Sequence, residues 1–160
     1  MSRPKNTNTA KILWGVIFLA ILTLTILKLS QGREQSISYE WTKRNIEISG
    51  KTYNVYEAKT PLELEAGLSQ FNSIQNNEGM LFYFDNPGKP AFWMKNMKFS
   101  IDIIWLRDYQ VVQIDKKIPH GGTNELKKYY STSDINQVLE LNSGEAERGN
   151  IKIGDMLQLN

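Results

Sequence analysis

Met80-Leu81-Phe82-Tyr83-Phe84 is apolar at every position, and Asp85-Asn86-Pro87-Gly88 follows at once with turn chemistry. A strand without a polar side must be covered on both faces, so this stretch predicts a central strand. Before it, Ile46, Ile48, Tyr53, Val55 and Glu57 alternate around Gly50-Lys51, the pattern of a hairpin. Thr60-Pro61-Leu62-Glu63 has capping-box spacing with Pro at the first helical position, predicting a short helix that ends near Gly67 to Gln70. After it, Ala91 to Lys98 (AFWMKNMK) reads as a strand with Phe92, Met94 and Asn96 on one face and Trp93, Lys95 and Met97 on the other. Ile101 to Leu106 is another strand, in which Asp102, Ile104 and Leu106 share a face. A turn at Asp108-Tyr109 leads to Val111–Ile118, where Val112, Ile114 and Ile118 oppose Gln113, Asp115 and Lys117. A polar loop from Pro119 to about Asp134 precedes a strand at Val138–Leu141, a helical turn closed near Gly149, and the last strands. Seven to nine short strands, two brief helices and no crossover-helix pattern predict a mainly β domain, either a β-sandwich or a small barrel.

The domain occupies only part of the 160 residues. Residues 12–27 (ILWGVIFLAILTLTIL) carry no charge and lie between Lys11 and Lys28. Extended over 10–29, this stretch reaches about 30 Å as a helix, one bilayer crossing. The expected organisation is a basic cytoplasmic tail (1–11), a transmembrane helix or signal anchor (12–29), a polar linker (30–44) and the β domain (45–160). Arg3, Lys5 and Lys11 favour a cytoplasmic N-terminus and an extracytoplasmic domain at the cell membrane. Secretion after signal cleavage is the alternative, although no A-x-A site follows.

Charge divides at the same boundary. Of 19 Lys and Arg, four (Arg3, Lys5, Lys11, Lys28) precede position 30, without an acid among them. The rest of the chain carries 15 basic against 17 acidic residues, with no basic stripe, so no nucleic-acid partner is expected. The absence of Cys excludes disulfides, thiolate nucleophiles and thiolate-held metals, and a single His excludes two-histidine metal motifs. No D-x-D-x-D-G loop is present, so no metal and no cofactor is expected.

Several segments in order carry a resemblance: Glu78-Gly79-Met80-Leu81-Phe82-Tyr83-Phe84, Phe92-Trp93-Met94-Lys95-Asn96-Met97, Ile101-Asp102-Ile103-Ile104-Trp105, Val138 to Gly144, and Ile153-Gly154-Asp155. Residues 45 to 160 resemble the bacterial and archaeal domain of unknown function 192. The resemblance implies a compact sandwich of jelly-roll character, often exported or membrane-anchored, without an established activity. Relatives usually place an Arg soon after a Gly-Leu pair; here Gly67-Leu68 is followed by Ser69, Gln70 and Phe71.

Trp93, Lys95, Asn96 and Asp102, with Glu78 and Glu140 as neighbours, form the candidate site. An indole face beside ammonium, amide and carboxyl groups can hold a small polar ligand or an envelope glycan. The competing reading makes Trp93 a core residue and pairs Lys95 with Asp102 or Glu140 inside the fold. Two carboxylates drawn from Glu78, Asp102, Asp115 and Glu140 would suit glycoside hydrolysis if they met across a cleft. A protein-partner module is the third reading. His120 in Pro-His-Gly-Gly reads as a solvated turn residue.

Overall fold

The computed structural model describes residues 39–121 and 126–160, together with Thr23. The expected tail 1–11, the membrane segment 12–29 (Thr23 apart) and most of the linker lie outside the described residues. Among the described residues no helix is long and apolar enough to cross a membrane. One compact unit spans Tyr39–Asn160.

Its strands are β1 (Lys43–Ile48), β2 (Lys51–Ala58), β3 (Glu78–Gly88), β4 (Phe92–Trp93), β5 (Ile101–Arg107), β6 (Gln110–Ile118), β7 (Lys128–Tyr129), β8 (Ile135–Asn142) and β9 (Gln158–Leu159). Two short helices, α1 (Pro61–Ala66) and α2 (Glu145–Arg148), and one 3-10 turn (Gly67–Gln70) complete the fold. Seven strands form one sheet in the order β6-β5-β8-β3-β2-β1-β9, while β4 and β7 pair separately. The mainly β expectation therefore holds, as one curled half-barrel sheet rather than two opposed sheets.

Local chemistry explains the connections. Ser49 (φ 54°) and Gly50 (φ 73°) join β1 to β2 through a two-residue turn with both φ angles positive, the twist that tight hairpins require. Asp108 (φ 50°) and Tyr109 (φ 67°) do the same between β5 and β6, their amides bonded to Asn136 Oδ1 (2.8 Å) and Gln137 Oε1 (3.1 Å). The capping box forms as its spacing predicts: the Glu63 amide donates to Thr60 Oγ1 (3.3 Å), and the Thr60 amide donates to Glu63 Oε2 (2.9 Å). The helix it starts belongs to a crossover, because β2 and β3 are parallel neighbours. The absence of a crossover expected from sequence is corrected here; a connecting helix of six residues is too short to leave a periodic signal.

Period-two alternation sends side chains of the sheet into two cores. Ile46, Tyr53, Val55, Leu81, Ile104, Leu106, Leu139 and Leu141 form the first core. Met80, Phe82, Ile101, Ile103, Trp105 and Val138 form the second, packed with Leu68, Met94, Met97 and Phe92. The stretch Met80–Phe84 is indeed central, between β2 and β8, and serves both cores. Gly79 is required by close approach: a Cβ there would stand 2.5 Å from the Glu140 carbonyl oxygen.

Two strand expectations change. The Ala91–Lys98 strand stops after Trp93, and Lys95-Asn96 turns the chain, with the Met97 amide bonded to the Met94 carbonyl (3.2 Å). Met94 and Met97 are then both buried instead of facing opposite ways. Register irregularities between β5 and β6 split the expected face of β6, so Ile114 joins the first core with Val111 while Val112 and Ile118 pack in the second.

The C-terminal segment bridges the sheet's two ends. Its Gly154 and Leu157 amides donate to the Val111 (2.8 Å) and Tyr109 (2.9 Å) carbonyls at the start of β6, and β9 pairs with β1 through Ile46 and Leu159.

Candidate functional site

A cleft of about 280 Å³ opens beside the second core, whose Leu68, Phe82, Phe92 and Met97 contribute to its lining. One wall is α1 and its 3-10 turn, contributing Leu64, Glu65, Ala66, Gly67, Leu68 and Ser69. The opposite wall is the approach to β4 and the turn after it, with Pro90, Ala91, Phe92, Trp93, Lys95 and Met97. Gly67, at φ 50°, brings the first wall against Phe82; a Cβ there would touch the ring at 3.4 Å. Phe82 and Phe84 of β3 pack edge-on against Phe92, with centroids 5.1 and 6.2 Å apart, making an aromatic lining. The volume lies at the lower end of the range of about 300–1,000 Å³ usual for small-molecule sites.

Glu140 of β8 also lines this cleft and is 5% exposed. Its neighbours across the sheet are Met80 of β3 and Ile103 of β5, which are apolar. Its carboxyl group makes no hydrogen bond or ion pair with a described residue. Burial pushes the pKa of that carboxyl up to about 8, so the group is predominantly protonated at neutral pH.

Trp93 is 42% exposed at the rim, which removes the reading of Trp93 as core. Lys95 is exposed beside it, with Nζ 5.9 Å from the indole centroid, and forms no ion pair with Asp102 or Glu140. Three of the six candidates (Trp93, Lys95 and Glu140) therefore share the cleft.

The other three lie elsewhere. Asn96 occupies the left-handed region (φ 61°) at the exposed turn and does not line the cleft. Asp102 is fully buried, its two carboxylate oxygens accepting the Lys117 (2.7 Å) and Ala146 (2.9 Å) amides. It thereby joins the irregular end of β6, where Lys117 has φ 55°, to the start of α2. Glu78 accepts the Gln75 amide (2.9 Å) and pairs with Lys43 (2.6 Å), and these two partners hold its pKa below the usual carboxylate range. Asp115, also considered for a carboxylate pair, accepts the indole N–H of buried Trp105 (2.9 Å). No two of the carboxylates Glu78, Asp102, Asp115 and Glu140 share the cleft. His120 meets Ser100 through Nδ1 (3.0 Å) on the exposed surface.

Sequence reasoning missed the aromatic lining and Glu65. Phe82 and Phe84 belong to a strand expected to be covered on both faces, Phe92 to one face of an alternating strand, and Glu65 is one carboxylate on a short helix, so none of them signals a cleft. The segment Ala66–Ser69, singled out for its departure from relatives, supplies part of one wall. Gln70 is exposed beside it, and Phe71 packs on Tyr56 with centroids 4.5 Å apart.

Solved structures similar to this chain include two bacterial proteins. A Sinorhizobium meliloti protein, described as a proposed transcription regulator, is 27% identical with a TM-score of 0.69, covering 76% of this chain and 97% of its own. A Novosphingobium aromaticivorans protein of unknown function is 26% identical with a TM-score of 0.67, covering 78% of this chain and 89% of its own. A search among curated proteins finds no match. Residues 44–159 match the family DUF192, described as an uncharacterized ACR. The chain belongs to the DUF192 family.

Proposed function

We propose that this chain is a membrane-tethered, extracytoplasmic binding domain whose cleft takes a small molecule, an envelope saccharide or a similar ligand. The observation that carries the reading is Glu140, a largely buried residue whose carboxyl faces an aromatic-lined cleft and has no partner among the described residues. A buried polar group is stabilised by a hydrogen-bonding partner, and a bound ligand can supply one. Trp93 at the rim offers a flat apolar face for a sugar ring, and Lys95 a donor beside it. The tether rests on the uncharged run 12–27, and the outward orientation on Arg3, Lys5 and Lys11.

Binding is favoured over glycoside hydrolysis because Asp102 and Glu78 are occupied in holding the fold. A regulator role like that in the description of the Sinorhizobium meliloti relative is not favoured, since acids outnumber bases after position 30. The test is thermal unfolding of the full chain in nonionic detergent against a panel of envelope mono- and disaccharides. A ligand at ten times its Kd stabilises by about 1.4 kcal/mol, a gain of roughly 4–8 °C. Trp93→Ala should abolish that gain while leaving the unliganded midpoint nearly unchanged. A panel without any stabilising member refutes the reading.

A further inference from the structure

We propose that the ligand of this cleft carries an organic ammonium group, seated against the Glu140 carboxyl with its flank on the aromatic rings. The inference rests on the binding reading above and adds the ligand's charge.

Three classes of ligand meet the cleft differently. An anion would be repelled by Glu140 once that carboxyl ionises, with no buried cation among the described lining residues to offset it, since Lys95 is exposed at the rim. A neutral hydroxyl can bond to Glu140 in either protonation state and gains no electrostatic attraction from the rings. An ammonium group pairs with the ionised form of Glu140 and so displaces its proton, donates to the carboxylate where it is an amine, and can rest against the aromatic side chains Phe82, Phe92 and Trp93 of the lining. Of the charged groups lining the cleft, Glu65 adds negative potential and Lys95 opposes it, both from exposed positions where solvent screens them. Met80 and Ile103, beside Glu140 on the neighbouring strands, carry no charge.

Isothermal calorimetry of the full chain in nonionic detergent tests this with choline and its neutral isostere 3,3-dimethyl-1-butanol. Choline should bind at least tenfold more tightly at pH 8. Choline itself does not titrate, so ionisation of Glu140 governs its pH dependence. Its affinity should rise about tenfold between pH 6 and pH 7 and level off above pH 8, with a proton released per ligand bound at the lower pH. Glu140→Gln should remove both the preference and the slope. Glucosamine against glucose forms a second arm: a preference for glucosamine exceeding that for choline points to an amino sugar, the reverse to a choline-type headgroup, and both support the inference. Equal binding of choline and its isostere together with equal binding of glucosamine and glucose overturns it while leaving the binding reading intact. Binding by no probe here and no saccharide above removes both.

Discussion

Replacing the ionisable carboxyl of Glu140 without changing its shape should remove the pH dependence of stability that this residue imposes. An exposed glutamate has its pKa near 4.5, and burial moves that of Glu140 to about 8. The folded chain therefore holds this proton more tightly than the unfolded chain does. The resulting stabilisation is complete below pH 4.5, falls by about 1.4 kcal/mol per pH unit above it, and is gone by about pH 8. Over the whole interval the loss is roughly 4–5 kcal/mol, a large share of the 5–15 kcal/mol typical of a domain. Glu140→Gln keeps the volume and cannot ionise. The stability of the parent minus that of Glu140→Gln should consequently fall by about 4 kcal/mol between pH 5 and pH 8. Above pH 8 the variant should be the more stable protein. Urea unfolding of the full chain in nonionic detergent, followed by the fluorescence of buried Trp105, reports both curves. Carboxylates such as Glu57, Glu63, Glu78, Glu145 and Asp155 are held below their ordinary pKa values and titrate in acid, outside this window. A difference curve that stays flat from pH 5 to pH 8 would refute the reasoning, because it would mean that Glu140 ionises as easily in the fold as outside it.

Asp102→Ala should cost about 2–4 kcal/mol in urea unfolding, because the Ala146 amide is left buried without its acceptor, yet should leave ligand affinity unchanged where the variant folds. A larger effect on binding than on stability would return Asp102 to the site. Glu57 is stabilised by Lys59 and Arg44 (each 2.9 Å) and the Tyr83 hydroxyl (2.9 Å), which together outweigh its burial and hold its pKa near 2. Its contribution is present above pH 4.5 and lost as pH falls toward 2, so the stability advantage of the parent over Glu57→Gln, about 2 kcal/mol at pH 6, should shrink toward zero in that interval when measured by urea titration.

The sequence was most informative where the chemistry is local. Alternation around Gly50 marked the first hairpin, Thr60 and Glu63 marked a helix start, and Asp108-Tyr109 marked a turn, because each depends on residues a few positions apart. The site depends instead on strand order. Strand β8 lies between β3 and β5, and that insertion brings Glu140 to the cleft lined by Phe82 and Phe84. No spacing along the chain records it. Asp102 and Glu140 look alike in sequence, each a carboxylate within an apolar strand. They differ in what faces them: two backbone amides for Asp102, an open cleft for Glu140. Trp93 illustrates the same limit, since its exposure follows from the early stop of β4 at the Lys95-Asn96 turn.

The bridging of both sheet ends by the last residues has a consequence for how the domain is completed. Ile46 waits for Leu159, and Tyr109 for Leu157, so these contacts join the beginning and middle of the domain to its final turn. Such distant pairings carry a large loop-closure cost and slow folding relative to local hairpins. A chain emerging from its N-terminal end first would expose the free edges of β1 and β6 until the final segment arrives. Those edges are open templates for pairing with another chain during that interval. Completion of this domain is therefore a late event, and its vulnerability to misassembly lies before the final residues dock.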